Sequence, residues 1–519
     1  MIKNFKWLLI ASLAFVACNN DDEVTIDSNS SDGKPLTAGT ADITKYVALG
    51  DSYGAGFSDN ALFKVAQEGS YANLLANQFV LAGGGEFKTP FMSDNVGGLL
   101  LGGNQILGVR LYFDLVTRSP LPVAGKPSTE VTTKLTGPFN NLSVPGAKSY
   151  HLVAPGYGNS AGVAAGLANP YFARFATSAT TTVVADAVAQ NPTFFSLWIG
   201  GNDVLGYATS GGTGKDQKGN LNPATYAAND ITDPTVFASV YSNIVNAMTA
   251  KGAKGIVANL PYVTALPFFT TVPTNAIPGL SPSQAGQLNQ LFGGINAALA
   301  GAGLPARFAT IVADDGNKNT TESNPLLILD ESLPNISAQI TAALTPSLGA
   351  GTAAALGGLY GQARHASSTT GKQDFILLTA RGVIGTPQAG APAGFNTIGV
   401  TFPMGDGTAL TNSEFLEIKA ATDAYNATIK SVADAKGLAF VDLRPIMDQI
   451  AGAGIVFNGY TTTSAFATGG MFSLDGVHPS PRGYAIISNY FAQAINAKYG
   501  SNFKDVNVGQ YRILYPASL

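Results

Sequence analysis

A serine ends the first apolar run that has the pattern of a buried strand, and its position suits a nucleophile. The run Tyr46–Leu49 is followed by Gly50, Asp51 and Ser52. Small and acidic residues are also common in ordinary turns, so this triplet alone does not separate a nucleophile from a turn. A serine nucleophile needs a general base, a group that orients the base, and donors for the developing oxyanion. The rest of the chain must supply these partners.

The search for the base is short because the chain has three histidines, His151, His365 and His478. Asp475 precedes His478 by three residues, and Gly476 between them permits a bend that returns the carboxylate to the imidazole. His151 and His365 have no such neighbour, and we interpret them as surface or locally satisfied histidines. The alternative for the stretch around His478 is a capped turn before a helix.

Two other strand ends offer hydrogen-bond donors. Gly146 follows the short apolar segment Asn141–Pro145, and a glycine there lets a backbone N–H approach a ligand closely. Asn202 follows the strand candidate Thr193–Gly200, and its amide can donate to an oxyanion. Each signal is weak alone, because V-P-G-A is an ordinary turn and G-N-D an ordinary strand exit.

Taken together, the four motifs resemble those of the SGNH, or GDSL, hydrolase family. G-D-S, N-x-S-V-P-G, G-x-N-D and D-x-x-H-P occur in that order along the chain. The resemblance implies that Ser52 is the nucleophile, His478 the general base and Asp475 the residue that orients the base. It implies an oxyanion hole formed by the backbone N–H groups of Ser52 and Gly146 and by the side chain of Asn202. The expected activity is that of an esterase or lipase, which hydrolyses carboxylic esters through an acyl-enzyme.

Three neighbours of these motifs are interpreted as structural. Tyr53 stands where many family members have leucine, and it touches the turn on the substrate side. Asp51 is expected to stabilise the turn, because a carboxylate adjacent to the nucleophile would repel an oxyanion. Asp203 is expected to hold the loop that presents Asn202.

Strand and helix patterns alternate along the chain, which predicts an α/β fold with a parallel sheet covered on both faces. The family resemblance implies a three-layer α/β/α, flavodoxin-like fold whose five-stranded sheet has the order 2-1-3-4-5. Predicted strands are Lys45–Asp51, Asn141–Pro145, Thr193–Gly200, Gly255–Leu260 and Leu438–Leu443, and the main predicted helices are Gly69–Val80, Thr235–Ala253, Ser413–Gly437 and Pro481–Lys498.

The hydrolase domain is expected in two parts, residues 43–260 and 413–519, separated by a long insertion at 261–412 after strand 4. The insertion is rich in Ala, Gly, Thr and Pro and is predicted to be irregular. Its apolar, aromatic start, Pro261–Pro273, could line an acyl pocket or form a lid. The alternative is that these aromatic residues only pack the insertion onto the sheet.

The N-terminus has the pattern of an export signal followed by a tether. Two lysines precede the apolar run Trp7–Ala17, which has the length of a signal-peptide core and is short for a membrane span. Phe15-Val16-Ala17-Cys18 resembles a bacterial lipobox, which implies a signal peptide at 1–17 and a lipid on Cys18. The alternative is an ordinary signal peptide with a chance cysteine.

Residues 18–42 are then a lipidated acidic linker, in which Asn19–Glu23 resembles the surface-export signal of Bacteroidetes-type lipoproteins. An acidic run is also what a solvated tether requires. The expected location is the outer membrane, held by the lipid anchor, with exposure at the cell surface if the export signal operates.

Composition narrows the classes of partner. The chain has 519 residues, a net charge of −4 and 12% charged residues, so a basic surface for nucleic acid is not expected. No phosphate-binding or dinucleotide motif follows a strand, and no cofactor is expected. The stretch Ala313–Glu322 lacks the spacing of a calcium loop, and no metal is expected. Two rivals to the esterase or lipase are a carbohydrate O-deacetylase of the same family and a non-catalytic binding lipoprotein on the same scaffold.

Overall fold

The computed structural model describes residues 27–317 and 321–519 of the chain. The predicted signal peptide and the lipidation residue Cys18 lie outside the described residues, so both stay predictions. Within the described ranges, no helix combines the length and the apolar character that crossing a bilayer requires.

The fold is α/β with a parallel central sheet. Its strands are β1 (Tyr46–Gly50), β2 (Phe194–Trp198), β3 (Lys254–Ala258) and β4 (Ala439–Val441), hydrogen-bonded in that order. β1 and β2 are buried along their whole length, as expected of parallel strands that are covered on both faces. The carboxyl ends of the strands meet at one edge, where loops place the candidate site.

The predicted second strand is not a strand, so the central sheet has four strands instead of five. Asn141 forms a single parallel bridge with Ala48, and the Val144 N–H donates to the Gly50 carbonyl at 3.0 Å. A second bridge requires a hydrogen bond from the Gly50 N–H to the Leu142 carbonyl. No such bond is present among the described residues. The segment still lies beside β1, on the side away from β2.

Helices cover both faces of the sheet. The ones that frame it are α1 (Tyr71–Leu81), α2 (Val183–Ala189), α3 (Asn202–Thr209), α4 (Pro234–Thr249), α5 (Asn412–Lys436) and α6 (Pro481–Tyr499). Shorter helices are Ser52–Ala55, Lys64–Glu68, Pro170–Ala173 and Leu443–Ala451. α1 packs against α6, and α4 packs against both α2 and α5, which makes three layers.

Side chains on β2 show how the sheet meets its first helical layer. Phe194 lies 5.4 Å from Phe79 of α1, and Trp198 lies 6.2 Å from Phe491 of α6, measured between ring centroids. These two β2 residues point the same way because side chains alternate along a strand. One continuous hydrophobic core joins the sheet to both helical layers.

The start of α5 differs from the prediction by two residues. The cap is Thr411, two residues before the predicted start at Ser413, and it forms a capping box with Glu414. The last helix begins as predicted at Pro481, after the cap Ser480, whose hydroxyl accepts from the Gly483 N–H. Ser480 thereby ties the start of α6 to the loop that carries His478.

The insertion at 261–412 is not irregular. It contains the helices Pro267–Thr270, Pro282–Gly301, Ser337–Leu348 and Ala350–Tyr360, and the strand pairs Ile277–Pro278 with Ser323–Asn324, Leu327–Leu329 with Ala363–His365, and Phe375–Ile376 with Ala409–Leu410. Leu288, Ile295, Ile340 and Leu356 belong to a hydrophobic cluster of its own. The sequence pattern does not reveal this cluster, because many small residues in these helices interrupt the regular spacing of the larger apolar residues.

Hairpins occupy other segments that the pattern left as loops. They pair Leu99–Leu101 with Asn104–Leu107, Leu111–Asp114 with Ser119–Pro122, and Ile455–Phe457 with Tyr460–Thr462. The Leu111–Pro122 hairpin lies beside the candidate site.

The described part of the predicted linker, residues 27–42, lies against the body of the protein. Ser30 forms an antiparallel bridge with Phe503, and the Thr37 N–H donates to Asn502 at 2.8 Å. Because polar contacts hold this stretch to the segment after α6, the part of the chain free to act as a tether is shorter than the predicted 18–42.

Candidate active site

Ser52 is the first residue of a one-turn helix at the end of β1. The Asp51 carboxylate caps that turn by accepting from the Tyr53 N–H at 3.0 Å, which is the structural role predicted for it. Gly56 ends the turn with φ +84°, and a side chain there would collide with the Ala66 carbonyl and Gln67. Ser52 keeps only 5% of its surface exposed. The turn therefore holds the serine hydroxyl in one place.

His478 and Asp475 lie directly beside this serine. His478 Nε2 is 2.8 Å from Ser52 Oγ, and His478 Nδ1 is 2.8 Å from Asp475 Oδ2. Gly476 between the two residues has φ +73°, which lets the carboxylate turn back to the ring. The structure thus brings Ser52 to a pair of residues that lie more than 400 positions away in the sequence.

Several hydrogen bonds hold the Asp475 carboxylate in its ionised form. Its Oδ1 accepts from the Val477 and His478 N–H groups at 2.8 Å and from Ser473 Oγ at 3.0 Å. Its Oδ2 accepts from the Asn60 N–H at 3.0 Å. Burial would raise the pKa of Asp475, but the charge of His478 and these hydrogen bonds lower it to about 2. The carboxylate is therefore charged at any pH near neutrality.

Gly146 and Asn202 lie at neighbouring loops on the same edge of the sheet. Gly146 is exposed, has φ +78°, and has nothing within 4 Å of the place a side chain would occupy. Asn202 Nδ2 donates to the Ala147 carbonyl at 3.0 Å, which joins the two loops. The amide N–H groups of Ser52 and Gly146 donate to no described residue. These donors are free to bind an oxygen beside Ser52 Oγ.

Asp203 braces the loop that carries Gly146. It is fully buried, and its carboxylate accepts from the Ser149 N–H at 2.8 Å and from Ser149 Oγ at 2.7 Å. Burial raises its pKa, and the Ser149 hydrogen bonds oppose that shift. Asp203 was predicted to hold only the loop that presents Asn202. It fixes the Gly146 loop as well as the start of α3.

Two aromatic residues hold the imidazole, and one of them, Phe57, was not identified from the sequence. The Phe57 and Tyr53 rings lie 4.6 and 5.5 Å from the His478 ring, measured between centroids. The Tyr53 hydroxyl donates to the Val477 carbonyl at 3.2 Å. Tyr53, the departure from the family pattern, therefore contacts the loop of the base as well as the turn of the nucleophile.

A tight turn at Asp59 and Asn60 positions the acid and was also missed. Both residues have positive φ, +50° and +66°, which non-glycine residues seldom adopt. The Asp59 carboxylate accepts from the Leu474 N–H at 2.9 Å, while its own N–H donates to Ser473 Oγ at 3.0 Å. Adjacent Asp-Asn is a turn signal that the sequence does show. Its partners lie 414 or more positions away, so their identity could not be predicted.

The buried Asp59 makes stability depend on pH. Burial raises its pKa from 3.8 to about 7, and its Oδ2 has no hydrogen-bond partner among the described residues. The folded protein therefore holds this proton more tightly than the unfolded chain. The resulting stability is full below pH 3.8 and is lost as pH rises through 7.

An Asp59→Asn variant stays neutral and keeps an acceptor for Leu474. Relative to wild type, we expect its free energy of unfolding to rise by about 2 kcal/mol between pH 5 and pH 8. Urea unfolding of both proteins at each pH measures this, and other titrating groups cancel in the comparison. Parallel pH dependences for the two proteins would contradict the assignment.

The two other histidines form local contacts away from the site. His151 Nδ1 accepts from the Lys148 N–H at 3.1 Å, and its ring stacks on Tyr157. His365 Nδ1 accepts from the Ala309 N–H at 2.8 Å. Burial lowers the pKa of each to about 4. Both rings bond to nearby backbone N–H groups, in agreement with the prediction of local satisfaction.

Two small apolar cavities adjoin the serine turn. Their volumes are about 20 and 30 Å³, and both touch Tyr53, Trp198, Pro261 and Leu266. Each holds only one or two waters, so in this conformation neither accepts a long acyl chain. Leu266 and Phe269 also belong to the main core. The start of the insertion thus packs on the sheet and lines these cavities.

Carboxylates cluster at two places away from Ser52. Asp314, Asp315 and Glu322 hold oxygens within 4.8 Å of one another, as do Glu331, Asp406 and Glu414. Exposed acidic groups are common without an ion, and Glu414 is engaged in capping α5. The expected absence of a metal stays a prediction.

Comparisons with known proteins add little to this geometry. No protein-family model and no curated protein matches the chain. A crystal structure described as an alpha/beta hydrolase enzyme from the metagenome of Lake Arreo, Spain, is 10% identical, with a TM-score of 0.31 over 88% of this chain and 96% of that one. An extracellular lipase from Streptomyces rimosus is 12% identical, with a TM-score of 0.27 over 88% and 99%. Likeness this slight supports no inference about the present chain.

Proposed function

We propose that this protein is a serine ester hydrolase of the SGNH type that works through an acyl-enzyme. The observation that carries the proposal is the unbroken chain of two 2.8 Å hydrogen bonds from Ser52 Oγ through His478 to Asp475. The position of the three residues at the carboxyl edge of a parallel sheet supports it. The N–H groups of Ser52 and Gly146, which donate to no described residue, and the second amide hydrogen of Asn202 supply the remaining requirement, a site for the oxyanion.

The geometry supports the following sequence of steps. His478 Nε2 takes the proton of Ser52 Oγ as that oxygen attacks the ester carbonyl. The tetrahedral oxyanion accepts hydrogen bonds from the N–H groups of Ser52 and Gly146 and from the Asn202 amide. His478 then protonates the leaving alcohol. Water then attacks the acyl carbonyl as His478 takes its proton, and His478 passes that proton to Ser52 Oγ as the acid leaves.

Asp475 stabilises the imidazolium without taking a proton. Its pKa of about 2 lies far below that of an imidazolium, so the proton remains on His478. Its Oδ2 accepts from Nδ1, which leaves Nε2 unprotonated and able to act as the base.

The small apolar cavities beside Tyr53 are lined by neither Ser52 nor His478, so they do not choose between the esterase or lipase and the O-deacetylase. A non-catalytic binding protein on the same scaffold would have no need for the complete set of triad and donor groups.

Hydrolysis of 4-nitrophenyl esters from acetate to palmitate tests the proposal. We expect turnover within this series; a preference for acetate would favour the O-deacetylase, and a preference for long chains would favour the lipase. A fluorophosphonate should label Ser52 covalently, which mass spectrometry of the peptides can locate. A folded protein that neither turns over any ester nor reacts with the fluorophosphonate would refute the proposal.

Asn202→Ala removes one donor to the oxyanion, and we expect a loss of about 10²–10³ in kcat. KM should change little, because the donor acts on charge that develops only in the transition state. Kinetics with 4-nitrophenyl acetate measures the effect. Asn243→Ala, on the exposed face of α4, serves as the matched control. An equal loss in both variants would count against the assigned role.

We propose in addition that Cys18 carries a lipid that anchors the protein in the outer membrane. The lipobox-like sequence before it supports this. Metabolic labelling with an alkyne-bearing fatty acid should mark the wild-type protein and leave Cys18→Ala unmarked.

A further inference from the structure

The loop that carries Gly146 is a four-residue turn whose middle peptide can point in two directions. The turn spans Val144–Ala147, and the Ala147 N–H closes it by donating to the Val144 carbonyl at 3.1 Å. Gly146, the third residue, has φ +78°, which identifies the type II form. The type I form keeps the closing bond but reverses the middle peptide, because ψ of the second residue and φ of the third each differ by about 150–170°. Proline at the second position suits both forms, so Pro145 does not decide between them.

The direction of this peptide decides whether the oxyanion meets a donor or an acceptor. In a trans peptide the carbonyl and the N–H point to opposite sides. The Pro145 carbonyl bonds to the buried Asn169, so the N–H of the exposed Gly146 points the other way, to the open side of the loop. In the type I form the two groups would exchange directions. An oxyanion on the open side would then face a carbonyl oxygen in place of an N–H.

Asn169 holds the carbonyl of this peptide. Its Nδ2 donates to the Pro145 carbonyl at 2.8 Å. Its Oδ1 accepts from the N–H groups of Tyr171 and Phe172 at 2.9 and 3.1 Å, at the start of the short helix Pro170–Ala173. Because these two donors need the oxygen, the amide cannot turn over, and Nδ2 must face the turn.

Helix capping alone does not account for Asn169. Serine and aspartate cap helices as well as asparagine does, through the same kind of acceptor oxygen. Only the amide also offers an N–H to a carbonyl. Asn222 shows the plain case, because it also precedes a proline and caps the turn Pro223–Thr225, accepting from the Ala224 N–H at 3.2 Å, but it is exposed.

We propose that Asn169 is a positioning residue of the oxyanion hole. Its bond to the Pro145 carbonyl keeps the turn in the type II form and so aims the Gly146 N–H at the oxyanion. This inference rests on the proposed ester hydrolysis and adds a residue that lies outside all four sequence motifs. Asn202 holds the Ala147 carbonyl at 3.0 Å, so two asparagines support the turn.

Asn169→Ser and Asn169→Asp both remove the donor and keep the cap. The serine loses the bond to the turn, whereas the aspartate also repels the Pro145 carbonyl oxygen and should favour the reversed peptide more strongly. With the 4-nitrophenyl ester that the wild type hydrolyses fastest, we expect kcat to fall about tenfold in Asn169→Ser and further in Asn169→Asp, with KM changed less than about twofold. The matched control Asn222→Ser should change neither constant. Wild-type kcat in both Asn169 variants would overturn the proposal.

An inhibitor that forms an oxyanion separates positioning from a loss of folded enzyme. Trifluoroacetophenone adds to Ser52: its carbonyl carbon bonds Oγ, the hydroxyl proton passes to His478, and the carbonyl oxygen becomes the oxyanion. Its Ki does not depend on the fraction of enzyme that is folded. We expect Ki to rise in each Asn169 variant by about the factor by which kcat falls. A fall in kcat with an unchanged Ki would leave Asn169 a structural role only and would overturn the proposal.

Crystal structures of the wild type and of both Asn169 variants separate this inference from the function it rests on. We expect φ of Gly146 to be positive in the wild type and negative, as in a type I turn, in the variants. A positive φ in both variants overturns the proposal even when hydrolysis is intact. If the wild type hydrolyses no ester, the proposed function fails and the catalytic role of Asn169 fails with it, while the structures still decide whether Asn169 sets the turn.

Discussion

Ser52→Ala lowers kcat/KM for 4-nitrophenyl acetate by at least about 10⁴-fold in the mechanism proposed here, and it leaves the protein folded. The loss is large because no other hydroxyl lies within hydrogen-bond distance of His478 Nε2 among the described residues. Residual hydrolysis would come from water activated by His478 and from the donors at Gly146 and Asn202.

The variant should fold because Ser52 Oγ serves no structural contact besides His478. Asp51, which caps the turn, is untouched, and alanine is a good helix former. Unfolding in urea and the far-UV spectrum should match wild type, and Ser178→Ala on the surface is the matched control. Wild-type turnover by a folded Ser52→Ala protein would disprove the acyl-enzyme mechanism.

Asp475→Asn is expected to lower kcat by about 10⁴-fold, the second largest effect. The carboxylate accepts five hydrogen bonds, from the His478 ring, from three backbone N–H groups and from Ser473. An asparagine amide has a single acceptor oxygen, so its NH₂ group must face donors whichever way it is turned. Either the imidazole takes the wrong tautomer or the loop gives up its own bonds.

Nuclear magnetic resonance of the imidazole nitrogens distinguishes these two consequences. A proton that moves from Nδ1 to Nε2 shows the changed tautomer directly. Asp448→Asn, an exposed carboxylate on another helix, is the matched control. A loss of less than tenfold in kcat would show that the orientation of His478 does not depend on Asp475.

The same variant should alter acid stability. The pKa of Asp475 is lowered from 3.8 to about 2 in the folded protein, so its contribution to stability is present above pH 3.8 and lost as pH falls through 2. We expect the difference in unfolding free energy between wild type and Asp475→Asn to shrink by about 2 kcal/mol between pH 5 and pH 2.

The sequence by itself determined the four strands of the central sheet and the residues at their tips. Apolar runs in β1 and β2 need no partner to be recognised, because full burial on both faces leaves an uninterrupted pattern. The position of Ser52 and the Asp475–His478 pair follow from such local features, as does the start of α6. The glycines beside these residues can also be predicted from the sequence, because a tight bend needs its glycine within a few residues.

The tertiary structure alone decided which distant groups serve those residues. Asp59 meets Ser473 across 414 positions, and Tyr53 meets Val477 across 424. It also reduced the predicted second strand to one bridge and gave the insertion a core of its own. Such contacts depend on how loops pack after the sheet has formed, and local composition carries no record of partners hundreds of residues away.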